Sequence, residues 1–190
     1  MSVTAVPIAP TSRRVLAMLW GGLALALIAA VALAFLGTGR AVAQAGSNKQ
    51  FLEWNAQQSG VQTTASGLQY KVLKAGEGSK PTDADVALVS YKGTLRDGTV
   101  FDQNERTPMP VSQVVPGFSE GLKQMQKGGK YRLWIKPELG YGPRAAGPIP
   151  ANSLLVFDVE LIEHLPMAVL QQMQMQQMGQ GGAGAMPGQR

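Results

Sequence analysis

The tripeptide Val-Phe-Asp occurs twice, at 100–102 and at 156–158, and each copy sets an aromatic ring beside a carboxylate. A third stretch, LGYGPRAAGPIPAN at 139–152, is made largely of Gly, Pro and Ala yet holds Tyr141 and Ile149. Small neighbours let such a loop lie close over a groove, with the tyrosine offering an apolar ring and one hydroxyl donor. The alternative is a tyrosine packed beneath its own loop. These groups suit an apolar ligand held by a few polar contacts. Nucleophilic and metal chemistry are poorly supplied: Cys is absent and His164 is the sole histidine. A catalytic zinc usually takes several imidazoles, and a Ser-His-Asp triad would rest on this one residue.

The elements that must position these groups read mostly as strands. Leu68–Val72, Tyr131–Lys136 and Leu155–Leu161 alternate apolar with polar residues, and Val86–Tyr91 is a shorter apolar run. Asp97-Gly98 signals a tight turn, which makes Tyr91–Leu95 and Thr99–Phe101 antiparallel neighbours. One helix interrupts them. Phe118, Leu122 and Met125 stand at i, i+4 and i+7, with Ser119 and Glu120 in the first turn and Gly128-Gly129 as the stop. Antiparallel strands around one short helix make an α+β domain.

The net charge of +5 sits mainly at the ends, because residues 61–166 hold 12 of the 17 basic and 11 of the 12 acidic side chains. A nucleic-acid binder would place its basic residues on the folded part, so no nucleic acid is expected. Residues 15–36 run without a charge behind Arg13-Arg14. That length suits a transmembrane anchor, with residues 1–14 cytoplasmic and everything after Leu36 exported. A signal peptide cleaved near Ala43 or Ala45 is the alternative. Residues 37–60 read as a linker ending in a short helix near Lys49–Ser59, capped by Ser47 or Asn48. The folded domain is expected over 61–166. Residues 167–190 form a Met/Gln-rich and then Gly-rich tail, read as a frayed helix running into disorder.

The runs YKGTLRDGTVFD, VVPGFSEGL, ELGYG and GPIPANSLLVFDVEL resemble, in this order, the FKBP-type peptidyl-prolyl cis-trans isomerases over about residues 61–165. TTASGLQYKVLKAGEG is similar to the entry strand of bacterial members of the macrophage infectivity potentiator kind. The resemblance implies an antiparallel half-barrel sheet wrapped on one short helix, with an apolar pocket for a prolyl side chain between them. It implies catalytic roles for Asp102, Tyr141 and Phe157 and substrate contacts from Tyr91, Phe101, Met109, Val114, Val115, Phe118 and Ile149. Tyr141 hydroxyl and backbone N–H groups near Val115 and Ile149 would hold the substrate carbonyls. Phe118 stands where the family commonly has tryptophan, and Met109 where an aromatic is frequent, so macrolide inhibitors are expected to bind more weakly. No cofactor is implied.

Regular alternation turns Asp158 away from Phe157, which leaves Asp158 structural or solvated. Asp102 ends the strand that leaves the Asp97-Gly98 turn, where alternation need not hold, so its carboxylate can join Phe101 at the pocket. The expected activity is rotation of X-Pro bonds in unfolded, exported polypeptides by a membrane-anchored, extracytoplasmic domain. A non-catalytic chaperone or peptide-binding module with the same pocket is the alternative.

Overall fold

A computed structural model describes residues 12–13, 17–18, 20–31 and 45–181. The chain divides into two units, Met1–Ala45 and Gly46–Arg190. In the first, residues 20–31 form a helix, α1, whose side chains are exposed. No helix among the described residues is long and apolar enough to cross a membrane. Residues 15–16, 19 and 32–36 of the apolar run, residues 37–44 of the expected linker and the tail beyond 181 lie outside the described residues.

The second unit opens with α2 (Asn48–Ala56). Ser47 caps it reciprocally: the Gln50 backbone N–H donates to Ser47 Oγ at 3.3 Å, and the Ser47 N–H donates to Gln50 Oε1 at 2.9 Å. A helix this short is unstable alone, so its packing must hold it. Phe51 is buried against Trp134 and Leu154. Asn55 Nδ2 donates to Gln69 Oε1 at 2.8 Å, and Gln69 Nε2 donates to the Leu52 carbonyl at 2.8 Å, which pairs the polar groups buried under the helix.

Six strands follow, β1 (Val61–Thr63), β2 (Gln69–Lys74), β3 (Asp85–Leu95), β4 (Val100–Pro110), β5 (Lys130–Ile135) and β6 (Leu155–Pro166). They form one antiparallel sheet in the order β1-β2-β5-β6-β3-β4. Leu155, Phe157, Val159 and Leu161 of β6 are buried and alternate with more exposed neighbours, the pattern of a strand with one face on the core. The 95–99 turn closes as the sequence predicts, Leu95 N–H reaching Thr99 carbonyl at 2.8 Å and Gly98 taking φ +92°.

Helix α3 (Pro116–Leu122) lies against β5. An added Cβ would meet Ile135 Cγ2 at 2.5 Å from Gly117 and Leu133 Cδ1 at 2.4 Å from Gly121, so these two glycines set how closely helix and strand approach. The helix is shorter than its apolar spacing predicts. Gln124 and Met125 bond three residues back, to Gly121 and Leu122, which tightens the chain out of the α-helix while keeping Met125 buried. Gly128, at φ +74°, belongs instead to the turn into β5, where its N–H donates to the Leu161 carbonyl at 2.7 Å. Beyond β6, Met167–Gly181 is helical (α4), as its unbranched Met and Gln residues favour. His164 is engaged structurally, its Nδ1 lying 3.2 Å from Asp85 Oδ2 at the start of β3.

Candidate functional site

Strands β3, β4 and β6 and helix α3 converge their aromatic residues on one place. Phe157 is the hub, with its ring centroid 4.9 Å from Phe118, 5.4 Å from Phe101 and 6.2 Å from Tyr91. Tyr91 also meets Phe118 edge-on at 6.1 Å. Three of the pairs are T-shaped, the arrangement that sets the positive edge of one ring on the negative face of another. Phe118 and Phe157 are 3% and 7% exposed, while Tyr91 and Phe101 are partly open. Met109, Val114, Val115 and Ile149 join the same apolar cluster.

Room for the rings comes from Gly93, which stands opposite Phe157 on β6 and Asp102 on β4. A Cβ there would lie 2.6 Å from Phe101 Cζ and 2.8 Å from Phe157 Cε1. The sequence reading passed over this residue, although it stands only two positions after the pocket tyrosine in Tyr91-Lys92-Gly93.

The two Val-Phe-Asp copies differ by a bulge. Between Gly93↔Asp102 and Thr94↔Val100 the β4 side advances two residues for one on β3, leaving Phe101 as the extra residue. Alternation is broken there, so Phe101 can reach Phe157 while its neighbour Asp102 accepts the Tyr91 hydroxyl proton at 2.6 Å. No such break occurs at Phe157-Asp158. Asp158 therefore takes the other face, where Arg132 Nε and Nη2 donate to its two oxygens at 2.6 and 2.7 Å. Desolvation first, and then the Asp102 carboxylate, push the Tyr91 hydroxyl far above the ordinary tyrosine range, so it stays a donor at every physiological pH.

Two polar groups of the loop between β5 and β6 were expected at the site. Tyr141, 43% exposed, sits in the loop between β5 and β6, and among the described residues its hydroxyl has no protein partner. The Ile149 N–H, expected from sequence to be near a substrate carbonyl, is committed to the Ala146 carbonyl at 3.0 Å within its own loop. Val115 precedes α3 and its carbonyl receives the Phe118 and Ser119 N–H groups. The nine-residue span from Tyr141 to Ile149 thus offers a side-chain donor rather than the Ile149 amide. Among the described residues no group of three His, Asp or Glu side chains could hold a metal ion.

Comparisons with known proteins meet this geometry. A family described as FKBP-type peptidyl-prolyl cis-trans isomerase matches residues 77–162, and a domain amino-terminal to such isomerases matches residues 37–72. The chain is 48% identical over 122 residues to FKBP-type peptidyl-prolyl cis-trans isomerase FkpA of Escherichia coli (strain K12), covering 62% of this chain and 45% of the relative. Outer membrane protein MIP of Legionella longbeachae is 44% identical over 117 residues, covering 59% of this chain and 50% of the relative. The crystal structure of FkpA from Escherichia coli superposes with a TM-score of 0.61 at 37% identity, covering 82% of this chain and 74% of that one. The chain spans about half the length of the curated relatives it matches.

Proposed function

The chain belongs to the FKBP-type peptidyl-prolyl cis-trans isomerase family, and on that premise we propose that its Gly46–Arg190 unit accelerates rotation of X-Pro bonds in unfolded polypeptides. The observation that carries this reading is the four-ring cluster of Tyr91, Phe101, Phe118 and Phe157 with a Tyr91–Asp102 hydrogen bond at its edge. Rotation requires loss of amide conjugation, a barrier of about 18–20 kcal/mol, and no bond to the protein. The planar amide is strongly dipolar, whereas the twisted form has lost much of that charge separation. Aromatic walls that exclude water therefore destabilise the ground state more than the transition state. Phe157 and its ring partners receive the prolyl side chain. Tyr141 donates to a substrate carbonyl, and Asp102 fixes the direction of the Tyr91 hydroxyl.

A purified full-length preparation in detergent, assayed by NMR exchange on an X-Pro peptide, tests the reading. Acceleration that survives a chelator is expected. Binding without acceleration would favour the peptide-binding alternative, and loss with chelator followed by recovery with zinc would overturn the mechanism.

Asp102→Ala is expected to lower kcat/KM by about fivefold, the scale of one net hydrogen bond of about 1 kcal/mol. Asp158→Ala should leave kcat/KM within twofold and act on stability alone. Its pair with Arg132 is partly solvated, which limits that loss to about 1 kcal/mol or less. Equal kinetic losses from the two variants would sink the assignment of only one aspartate to the site.

The substrates proposed are proline-containing exported chains. Supporting this are the 15–36 apolar run behind Arg13-Arg14 and the relative named as an outer membrane protein. Residues 15–36 would anchor the domain on the extracytoplasmic side. Retention in membranes through carbonate washing, with an intact N-terminus, is the expected outcome; a soluble product starting near Gln44 or Gly46 would show a cleaved signal instead. Macrolide ligands are proposed to bind, but weakly, because Phe118 supplies no indole N–H at the pocket base.

A further inference from the structure

We propose that Asn48, at the start of α2, is a positioning residue for the isomerase site, holding the Tyr141 loop in place through the backbone of Asn152. The proposal rests on the reading of that site given above. Tyr141 stands in a loop that the sequence leaves weakly determined, since Gly, Pro and Ala supply few side-chain contacts. Its closure depends on backbone bonds. Asn152 N–H donates to the Gly142 carbonyl at 2.8 Å, and Gly142 N–H donates to the Pro137 carbonyl at 2.9 Å, so the residue after Tyr141 is pinned on both sides.

Asn152 holds its place at a conformational cost. Its φ is +56°, in the left-handed region that a residue other than glycine seldom occupies. Such a conformation persists where surrounding contacts determine it, and the contact on its carbonyl comes from outside the loop: Asn48 Nδ2 donates to Asn152 O at 2.9 Å, across 104 residues of chain.

Asn48 is itself held from the β3–β4 hairpin. Arg96 Nη1 donates to Asn48 Oδ1 at 3.3 Å and Arg96 Nη2 to the Gly46 carbonyl at 2.7 Å, while the guanidinium lies 5.8 Å from the centroid of the Phe51 ring. Arg96 occupies the tip of the β3–β4 hairpin, whose strands bring Tyr91, Gly93, Phe101 and Asp102 to the cluster. Leu154, two residues past Asn152, packs with Phe51 and Trp134. One amide side chain from the segment before the sheet thus ties the hairpin, through Arg96, to the loop that carries Tyr141. The helix α2 is part of the site's frame, not a spacer.

The test uses the full-length protein. Asn48→Asp keeps an oxygen facing Arg96 and puts a negative charge in the first turn of α2, which favours the helix. A carboxylate cannot donate to the Asn152 carbonyl. The variant is expected to match or exceed the parent in Tm while kcat/KM falls about three- to tenfold, the scale of a small misplacement of a positioning group. Amide exchange at Asn152 should speed up and the Tyr141 ring resonances should shift, with those of Phe118 unmoved. Asn48→Ala should show the same loss of rate and the same spectral changes. Unchanged rate, Asn152 exchange and Tyr141 resonances in both variants would overturn the proposal. So would a loss of rate that only follows a loss of Tm. If the parent protein itself does not accelerate rotation, the isomerase reading fails, and the tie between α2 and the loop stands or falls on Asn152 exchange and the Tyr141 resonances.

Discussion

Phe157→Ala is expected to remove about 3–5 kcal/mol of unfolding free energy and to return X-Pro exchange to the uncatalysed rate. The ring is 7% exposed and lies on β6, between β5 and β3 in the sheet. Truncation empties a space bounded by three other rings, each of which loses an edge or face contact worth about 0.5–1.5 kcal/mol beyond its area. Domains are stable by only about 5–15 kcal/mol, so the Ala variant alone would confound folding with catalysis. Phe157→Leu separates them. It keeps most of the core volume at a cost of under about 1.5 kcal/mol but removes the aromatic wall. Urea unfolding and exchange rates measured on both variants decide the matter: full activity in the Leu variant would show that any apolar filler suffices and that the aromatic account is wrong.

The second large effect is expected from the smallest residue at the site. Gly93→Ala adds one methyl group where three ring atoms would lie 2.6, 2.7 and 2.8 Å away. Phe157 is buried and cannot retreat; Phe101, partly exposed at the bulge, can. The substitution should cost about 1–3 kcal/mol as overpacking and turn Phe101 outward, opening one wall of the pocket. For a domain near 100 residues each kcal/mol lowers Tm by about 4–8 °C, so thermal unfolding reads the first effect directly. The kinetic loss is expected at about tenfold in kcat/KM, which corresponds to ~1.4 kcal/mol of transition-state binding. Gly93→Ala combined with Phe101→Leu should recover part of the stability and none of the rate. An Ala variant with parental Tm and rate would mean that the rings have slack to absorb the methyl group.

Strand order and the three-residue β1 were illegible in the sequence, but the identity of the longer strands was not. Leu155–Leu161 alternates cleanly because one face of β6 is core and the other carries charges paired across strands, as Asp158 is with Arg132. The 95–99 turn was equally clear, since its Gly takes a positive φ. Where tertiary contacts decide, the pattern misleads. The Phe118/Leu122/Met125 spacing suggests a helix through Met125, yet burial of that methionine is achieved from a tightened turn. The short hairpin arm expected at Thr99–Phe101 is the start of an 11-residue strand, because its polar residues pair along β3 without needing a buried face. At the site, the resemblance brought the aromatic residues into one list, and ring distances now place four of them in contact. The tie between Asn48, Arg96 and Asn152 was missed because it joins residues far apart in the chain and ends on the main-chain carbonyls of Asn152 and Gly46, to which any residue type contributes equally. A non-glycine residue held in the left-handed region, Asn152, is the signal that could have drawn attention to them, and it is visible only in coordinates.

The place of β6 in the sheet carries a consequence for biogenesis. Its residues are the last strand to be synthesised, yet they bridge β1-β2-β5 on one side to β3-β4 on the other. Until residues 155–166 are available, the two partial sheets share no strand, and the ring that joins Tyr91, Phe101 and Phe118 is missing. Pairings this distant in sequence make folding slow, because the chain must close large loops before any contact rewards it. A nascent chain that still lacks β6 therefore has no complete ring cluster. On the isomerase reading proposed above, activity is expected to appear only once synthesis has passed about residue 166 and β6 is free to pair, which makes its appearance a clock for completion of β6.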